Sequence, residues 1–280
     1  MIDTIGMTDI GNGRPSNQDA YLLRQKEKNG KLYLLAVVCD GMGGLKKGEI
    51  ASHYIVEVLK QWFDETLFDG LETMGIDMIE QNLIDLIRRI NQNLLLMSRR
   101  MEETKSMGST LTLLFVEEHE FFVLNVGDSR TYWFDRDRKF VTTDHTLAEL
   151  ELRTGHLTKE QAKKDPRRHI LIQCVGVTKD IRIDCYKGRL NPGMEFLLCT
   201  DGFYGLLEEE EIYQVEASKE QIAILLGKFM VMPDTISTLD ETDAIAIAYC
   251  HHIQGNLPTT GGSKCKDWGD FIKQNPDKVL

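Results

Sequence analysis

Apolar residues form two kinds of pattern along this chain. Short continuous or alternating runs predict strands, and a period of three to four residues predicts helices. Residues 34–39 are apolar without interruption, which predicts a strand buried on both faces, and Asp40 follows directly. The polar turn at 26–30 predicts a hairpin leading into that strand. Other short apolar or alternating runs predict further strands at 1–12, 20–23, 109–116, 120–126, 132–134, 181–186, 194–199 and 244–249.

A period of three to four residues predicts two successive helices after the strand at 34–39. Ala51, Ile55 and Leu59 lie on one face of the first helix, and the apolar stripe from Ile76 to Met101 defines the second. Two long helices in succession imply a pair that covers one face of a sheet. Further on, a short helix is predicted near 159–164, inside an otherwise irregular polar segment at 144–173, and another helix at 221–227.

The composition narrows the class of protein. The chain has 280 residues, of which 42% are hydrophobic and 28% charged, as in ordinary globular domains. A formal charge of −11 argues against nucleic acid or an anionic membrane as partner. No secretory signal or membrane-spanning run is visible, and the six cysteines form no CxxC or zinc spacing. We therefore expect a cytoplasmic protein with free thiols.

Aspartates recur at or beside the ends of the predicted strands. They are Asp19, Asp40, Asp128, Asp201 and Asp240. A single Asp-Gly is more often a turn than a metal ligand. Several carboxylates at one end of a sheet, however, repel one another unless cations lie among them. All-oxygen ligands suit Mg²⁺ or Mn²⁺, so the set predicts a site for more than one ion.

These residues belong to an ordered series of motifs. The series comprises Arg14 four residues before Asp19, Asp40-Gly-Met-Gly-Gly44, Gly108-Ser-Thr-Leu-Thr112, Gly127-Asp-Ser-Arg130, Asp144-His145, Thr200-Asp-Gly202 and Asp240. It resembles the PP2C-type (PPM) metal-dependent protein serine/threonine phosphatases, most closely the short bacterial members. The resemblance covers residues 1–251 and leaves 252–280 as a polar tail. It implies an α+β fold, a sandwich of two antiparallel sheets flanked by pairs of antiparallel helices in α-β-β-α layers.

The resemblance also implies a role for each metal ligand. Asp40 matches the aspartate that bridges two metal ions, and the Gly41 carbonyl is a further ligand. Asp201 and Asp240 match the carboxylates on one ion, and Asp19 matches the acid that holds water on the other. The implied cofactor is a pair of Mn²⁺ or Mg²⁺ ions.

Three further parts of the chain have counterparts in the family. Asp128 matches an aspartate that in bacterial relatives helps to hold a third, weaker ion. Arg14 matches the arginine that binds the substrate phosphate, a task for which the guanidinium fork is suited. Residues 144–190 correspond to the flap, a segment that influences substrate access.

The activity that the resemblance implies is hydrolysis of phosphoserine and phosphothreonine by a metal-activated water that attacks phosphorus in line. The implied substrates are phosphorylated proteins, the products of a serine/threonine kinase, and we expect a monomer. Two alternatives remain open at this point. One is a pseudophosphatase, a binding module that has lost turnover, and the other is a hydrolase of small phosphate esters.

Three positions depart from the family pattern. Met42 replaces the histidine proposed as general acid in many eukaryotic relatives, so no proton donor for the leaving group is assigned. Gln18 stands where glutamate is frequent. The segment after Asp240 is Glu-Thr-Asp243 where the family has Asn-x-Thr, so either Asp240 or Asp243 could be the last ligand, and the register favours Asp240.

Overall fold

The structure of the chain is a computed structural model that describes residues 2–8, 10, 16–43, 47–100, 107–135, 138–205, 212 and 247–252. Its strands form two sheets in which all the described pairings are antiparallel. The fold is the α+β sandwich that the motifs predicted.

The six-stranded sheet is built around the predicted hairpin. Its strands are β2 (Asp19–Lys28), β3 (Lys31–Met42), β4 (Gly108–Ser109), β5 (Leu111–Glu117), β6 (Glu120–Val126) and β9 (Asp184–Arg189). The order is β2-β3-β5-β6-β9, and β4 pairs with β3. Asn29 and Gly30 join β2 to β3 with φ of 55° and 79°, the positive values that a two-residue hairpin turn requires.

The five-stranded sheet brings the start of the chain together with its later strands. Its strands are β1 (Ile2–Met7), β7 (Arg130–Asp135), β8 (Arg138–Val141), β10 (Glu195–Cys199) and β11 (Ile247–His252). The order across the sheet is β1-β11-β10-β7-β8.

The described helices fall into two groups. The long helices are α1 (Lys47–Gln61) and α2 (Ile76–Arg100), joined through a π-helical turn at Trp62–Thr66 and a 3-10 turn at Leu71–Thr73. The short helices are α3 (Leu147–Arg153), α4 (Lys159–Lys164) and α5 (Asp201–Tyr204). The structure confirms the two helices that the periodic apolar stripes predicted.

Two hydrophobic cores lie on opposite faces of the six-stranded sheet. Leu35 and Val37 of β3 pack in the core that α1 and α2 share with that sheet. Leu34, Ala36 and Val38 pack in the core between the two sheets. All residues at 34–39 are fully buried, which confirms the prediction from the uninterrupted apolar run. Strand β3 is thus held from both sides as it leads to Asp40.

The flap region differs most from the sequence prediction. Residues 147–153 form α3, where the sequence predicted irregular chain. Strand β9 covers 184–189 rather than 181–186, because Ile181 and Ile183 pack against the helix-side core before the strand begins. The helix predicted at 221–227 lies outside the described residues. Among those described, no helix has the length and apolar character needed to span a bilayer.

Candidate active site

The first two predicted ligands face each other across neighbouring strands. Asp19 opens β2, Asp40 lies near the end of β3, and the antiparallel register pairs them directly. Directly opposed residues lie on the same face of a sheet with Cβ atoms roughly 5 Å apart, so the two carboxylates occupy one small region. Asp19 is buried and Asp40 half-buried. Such a like-charge pair destabilises a sheet unless something offsets it.

The backbone at Asp40 is fixed by Ser109 of β4 and by Thr110, the residue that follows this strand. The Asp40 N–H donates to Oγ1 of Thr110 (2.9 Å), and the Thr110 N–H donates to the Asp40 carbonyl (2.9 Å). The hydroxyl of Ser109 also donates to that carbonyl (2.9 Å). Thr110 Oγ1 lies 2.6 Å from Oγ of Ser129, beside the turn that carries Asp128. The Gly108–Thr112 motif therefore holds the end of β3 in place.

Gly41 lies where no side chain fits. A Cβ on Gly41 would collide with the carbonyl of Gly48 in α1 and with the carbonyl of Gln18. The Gly41 N–H donates to that Gln18 carbonyl (3.1 Å), which also accepts from the hydroxyl of Ser52 in α1 (2.6 Å). Glycine is thus required because the backbones of β3 and α1 meet here. Ligation of a metal by the Gly41 carbonyl stays a prediction.

A threonine from the second sheet connects Asp19 with Asp201. The Thr200 hydroxyl donates to Oδ2 of Asp19 (3.0 Å), and Thr200 is fully buried. Asp201 follows directly as the first residue of α5. The Asp19 N–H in turn donates to Oδ1 of Asn17 (2.9 Å). This contact brings carboxylates from the two sheets to the same end of the sandwich.

Asp128 adds a further negative charge at this end. It is 6% exposed, and this burial raises the pKa of its carboxyl well above the usual range. The negative charges of Asp201, Asp144 and Asp40 raise that pKa further. Two of the three charges that raise the pKa, those of Asp40 and Asp201, belong to other predicted ligands. Carboxylates that disfavour one another's charge in this way gain most from a bound cation.

The comparison with known families decides the assignment. A family model described as protein phosphatase 2C matches residues 5–229 of the chain. The chain belongs to the protein phosphatase 2C family. The resemblance of its motifs to the PP2C-type phosphatases is therefore confirmed.

Relatives and solved structures of the PP2C family cover most of the chain. The serine/threonine phosphatase stp of Listeria innocua is 30% identical over 242 residues, which are 86% of this chain and 93% of the relative. The structure of the serine/threonine phosphatase Stp1 from Staphylococcus aureus superposes with a TM-score of 0.77 at 28% identity, covering 91% of this chain and 96% of that one. The catalytic domain of the phosphatase PstP, solved with two manganese ions, shares the fold (TM-score 0.67, 19% identity, 90% and 99% covered).

Several of the predicted PP2C site residues lie outside the described part of the chain. These are Arg14, Asp240 and the competing Asp243. Within the described ranges, no group of three His, Cys, Asp or Glu side chains is arranged to hold a metal ion. The four ligand aspartates that are described therefore do not make a complete cage without the rest of the predicted set.

Met42, which departs from the family pattern, contacts the flap of this PP2C domain. Met42 pairs with Gly108 of β4, and its sulfur lies 3.0 Å from Sγ of Cys174 in the flap. A thioether has no proton to donate, so the general acid stays unassigned. Cys39 and Cys199, beside the site aspartates, are fully buried, and burial raises the pKa of both thiols. Cys39, Cys174, Cys185 and Cys199 are free thiols.

One flap residue at the PP2C site was missed by sequence reasoning. Nδ1 of His169 lies 3.8 Å from Oδ2 of Asp201. Nε of Arg168 donates to Nε2 of the same ring (2.8 Å), so Nδ1 is the ring nitrogen that lies nearer to Asp201. His169 follows no recognisable motif in the polar segment, so the sequence held no signal for this contact.

Proposed function

We propose that this chain hydrolyses phosphoserine and phosphothreonine in phosphorylated proteins and that it needs divalent cations to do so. Membership of the family makes it a protein serine/threonine phosphatase. The cation requirement rests on one observation: carboxylates from both sheets come together at one end of the sandwich. The Asp19–Asp40 pairing and the Thr200–Asp19 hydrogen bond bring them there.

The donor set fits a hard cation. The described candidates are all oxygen ligands, and no histidine or cysteine belongs to the predicted set. Two Mn²⁺ or Mg²⁺ ions would bind here, and a third ion would bind more weakly. The proposed ligands are Asp19, Asp40, the Gly41 carbonyl, Asp128, Asp201 and Asp240. When bound, such ions supply positive charge for the phosphoryl oxygens and lower the pKa of water.

The protein's own residues then orient the reaction. Asp40 would be a ligand of these ions; its backbone is held by Thr110, and it lies directly opposite Asp19 on the neighbouring strand. Arg14 would bind the substrate phosphate through its planar fork. Met42 has no proton to donate, and no side chain is assigned as the general acid that protonates the leaving group.

The substrates of the enzyme would be the products of a protein serine/threonine kinase. Free thiols such as those of Cys39, Cys174, Cys185 and Cys199 suit a reducing compartment, which supports a cytoplasmic location.

Phosphate release measures the proposed activity directly. Phosphothreonine peptides and p-nitrophenyl phosphate are incubated with the wild-type protein in Mn²⁺, in Mg²⁺ and in EDTA. We expect metal-dependent release that EDTA abolishes. Asp40→Asn should lower the rate on the order of a hundredfold or more, the result of losing several kcal/mol of charge stabilisation.

Asp85→Asn is the matched control, because Asp85 is an exposed aspartate of α2 whose carboxylate contacts Arg88 on the next helical turn (3.2 Å). It should release phosphate like the wild type. Binding of phosphopeptides without release would favour a pseudophosphatase. Turnover confined to nucleotides or sugar phosphates would favour a hydrolase of small esters.

A further inference from the structure

We propose that Arg130 and Tyr204 are positioning residues, which together set the relative placement of Asp128 and Asp201. The inference rests on the proposed function, because it assigns these two aspartates to the cation site. Neither Arg130 nor Tyr204 is among the predicted ligands, and both act through the backbone and packing of the residues beside them.

The first contact fixes the guanidinium of Arg130. Its Nε donates to Oδ1 of Asp144 (2.8 Å) and its Nη2 to Oδ2 (2.7 Å), while Nη1 donates to the hydroxyl of Tyr132 (2.9 Å). A two-point fork of this kind sets the plane of the guanidinium as well as its position. The side chains of Arg130 and Asp144 are only 27% and 15% exposed, so solvent weakens the pair little.

The second contact places Tyr204 against that plane. The centre of the Arg130 guanidinium lies 3.8 Å from the centroid of the Tyr204 ring. A guanidinium over an aromatic face is attracted electrostatically and packs flat on it. Tyr204 is the last residue of α5, the four-residue helix that Asp201 begins. The position of the ring therefore constrains the single helical turn that carries Asp201.

The third contact closes the connection to Asp128. The Tyr204 hydroxyl donates to the backbone carbonyl of Asp128 (3.0 Å). Asp128 lies two residues before Arg130 in the same turn, so that turn is held at both of these residues. The resulting chain of contacts runs from Asp144 through Arg130 and Tyr204 to Asp128, with Asp201 on the same helical turn as Tyr204.

The charge balance also suits a place beside a cation site. A lone arginine near the ions would repel them. The Asp144 carboxylate neutralises Arg130 within the network, so the guanidinium can serve as a rigid support without adding a net positive charge. Contacts that orient metal ligands in this way commonly affect metal affinity strongly even though they never touch the metal.

The experiment measures Mn²⁺ affinity by calorimetric titration in the wild type and in two variants. Tyr204→Phe keeps the ring but removes the hydrogen bond to Asp128, and Arg130→Lys keeps the charge but removes the fork and the stacking. We expect each variant to bind Mn²⁺ about tenfold more weakly or worse, the usual effect of losing a contact that orients a ligand. Melting curves of the metal-free proteins establish that each variant is folded at the titration temperature.

Two matched controls separate positioning from general loss of stability. Arg167→Lys removes a similar fork, in which Nε and Nη2 of Arg167 donate to Oδ1 and Oδ2 of Asp165 at 3.0 and 2.7 Å within the flap. Tyr21→Phe removes a similar hydroxyl, which donates to the Gly6 carbonyl (3.2 Å). Both controls should keep the Mn²⁺ affinity of the wild type.

Wild-type affinity in Tyr204→Phe and Arg130→Lys would overturn the proposal, as would an equal loss in the controls. If Arg130→Lys does not fold, the Tyr204→Phe affinity decides. A wild-type protein that binds Mn²⁺ but releases no phosphate from peptides contradicts the proposed function, and the affinities still decide the role of the network. A wild type that binds no Mn²⁺ overturns the network as well.

Discussion

Each end of the β2–β3 hairpin has two residues of like charge directly opposite each other, but the surroundings of the two pairs differ. At the turn, Lys28 pairs in register with Lys31, and at the other end Asp19 pairs with Asp40. Directly opposed like charges destabilise a sheet at both places. The groups that surround each pair indicate whether the pair has a structural role or belongs to a binding site.

The lysine end is neutralised by the protein itself. Lys28 forms an ion pair with Glu72, and its Nζ also donates to the Phe68 carbonyl (2.8 Å). Lys31 forms its own ion pair with Glu117 (3.0 Å). Each lysine thus has a carboxylate of opposite charge, and both carboxylates belong to elements that pack beside the hairpin.

At the aspartate end, further negative charge is brought in. Thr200 approaches Asp19 with a hydroxyl, and Asp128 and Asp201 add two more carboxylates from the second sheet and its turns. An accumulation of carboxylates suits a cation that arrives from solution, whereas local pairing suits a fold that is complete without one. The comparison therefore supports the proposal of a cation site at the aspartate end and a structural role for the charges at the lysine end.

The largest expected effect comes from the glycines of the two ends. Gly41→Ala should cost about 3 kcal/mol in the free energy of unfolding, because its Cβ would collide with backbone that cannot move cheaply. Gly30→Ala should cost about 1 kcal/mol, since the turn is open around it and only its φ of 79° is strained. Urea unfolding of the metal-free proteins measures both, and an equal cost would contradict the close approach of β3 and α1.

A smaller effect tests the lysine end. Lys28→Met should lower the melting temperature at pH 7, because it removes the partner of Glu72, while Mn²⁺ affinity stays as in the wild type. The hydrogen bond from Lys28 is the main cause that lowers the pKa of Glu72. The stability that this pair supplies is present above the ordinary glutamate pKa of about 4.3 and is lost as the pH falls through the lowered value.

The difference between Lys28→Met and wild type should therefore shrink between pH 7 and pH 3 in denaturant titrations. Lys60→Met is the control, because Lys60 pairs with Glu57 on the exposed face of α1 and should change stability little. A difference that persists at pH 3 would show that packing, rather than charge, accounts for the effect of Lys28.

The sequence was sufficient for the parts of the fold that follow from local pattern. The apolar run before Asp40 and the stripe of α2 predicted their elements, because burial on one or both faces leaves a period in the sequence. Helix α3 was missed although Thr146 and Glu149 carry a capping signal, and the Thr146 hydroxyl does accept from the Glu149 N–H (3.3 Å). The polar character of the flap concealed it.

The sequence suggests the candidate ligands but not the residues that support them. Aspartates at strand ends are visible one by one in the sequence. The contacts of Thr200 with Asp19, of His169 with Asp201 and of Tyr204 with Arg130 join residues far apart in the chain, or depend on how a loop turns. No local pattern records such contacts, because they arise only when strands and loops that are distant in sequence are brought together in the fold.

Mn²⁺-dependent thermal unfolding tests the central claim, that the aspartate end is a cation site and the lysine end is not. Wild type and Lys28→Met should both be stabilised as Mn²⁺ is added, by about 2.7 kcal/mol at a hundred times the dissociation constant. Asp40→Asn should lose this stabilisation. An unchanged melting temperature in the wild type, or equal stabilisation of Asp40→Asn, would contradict the account.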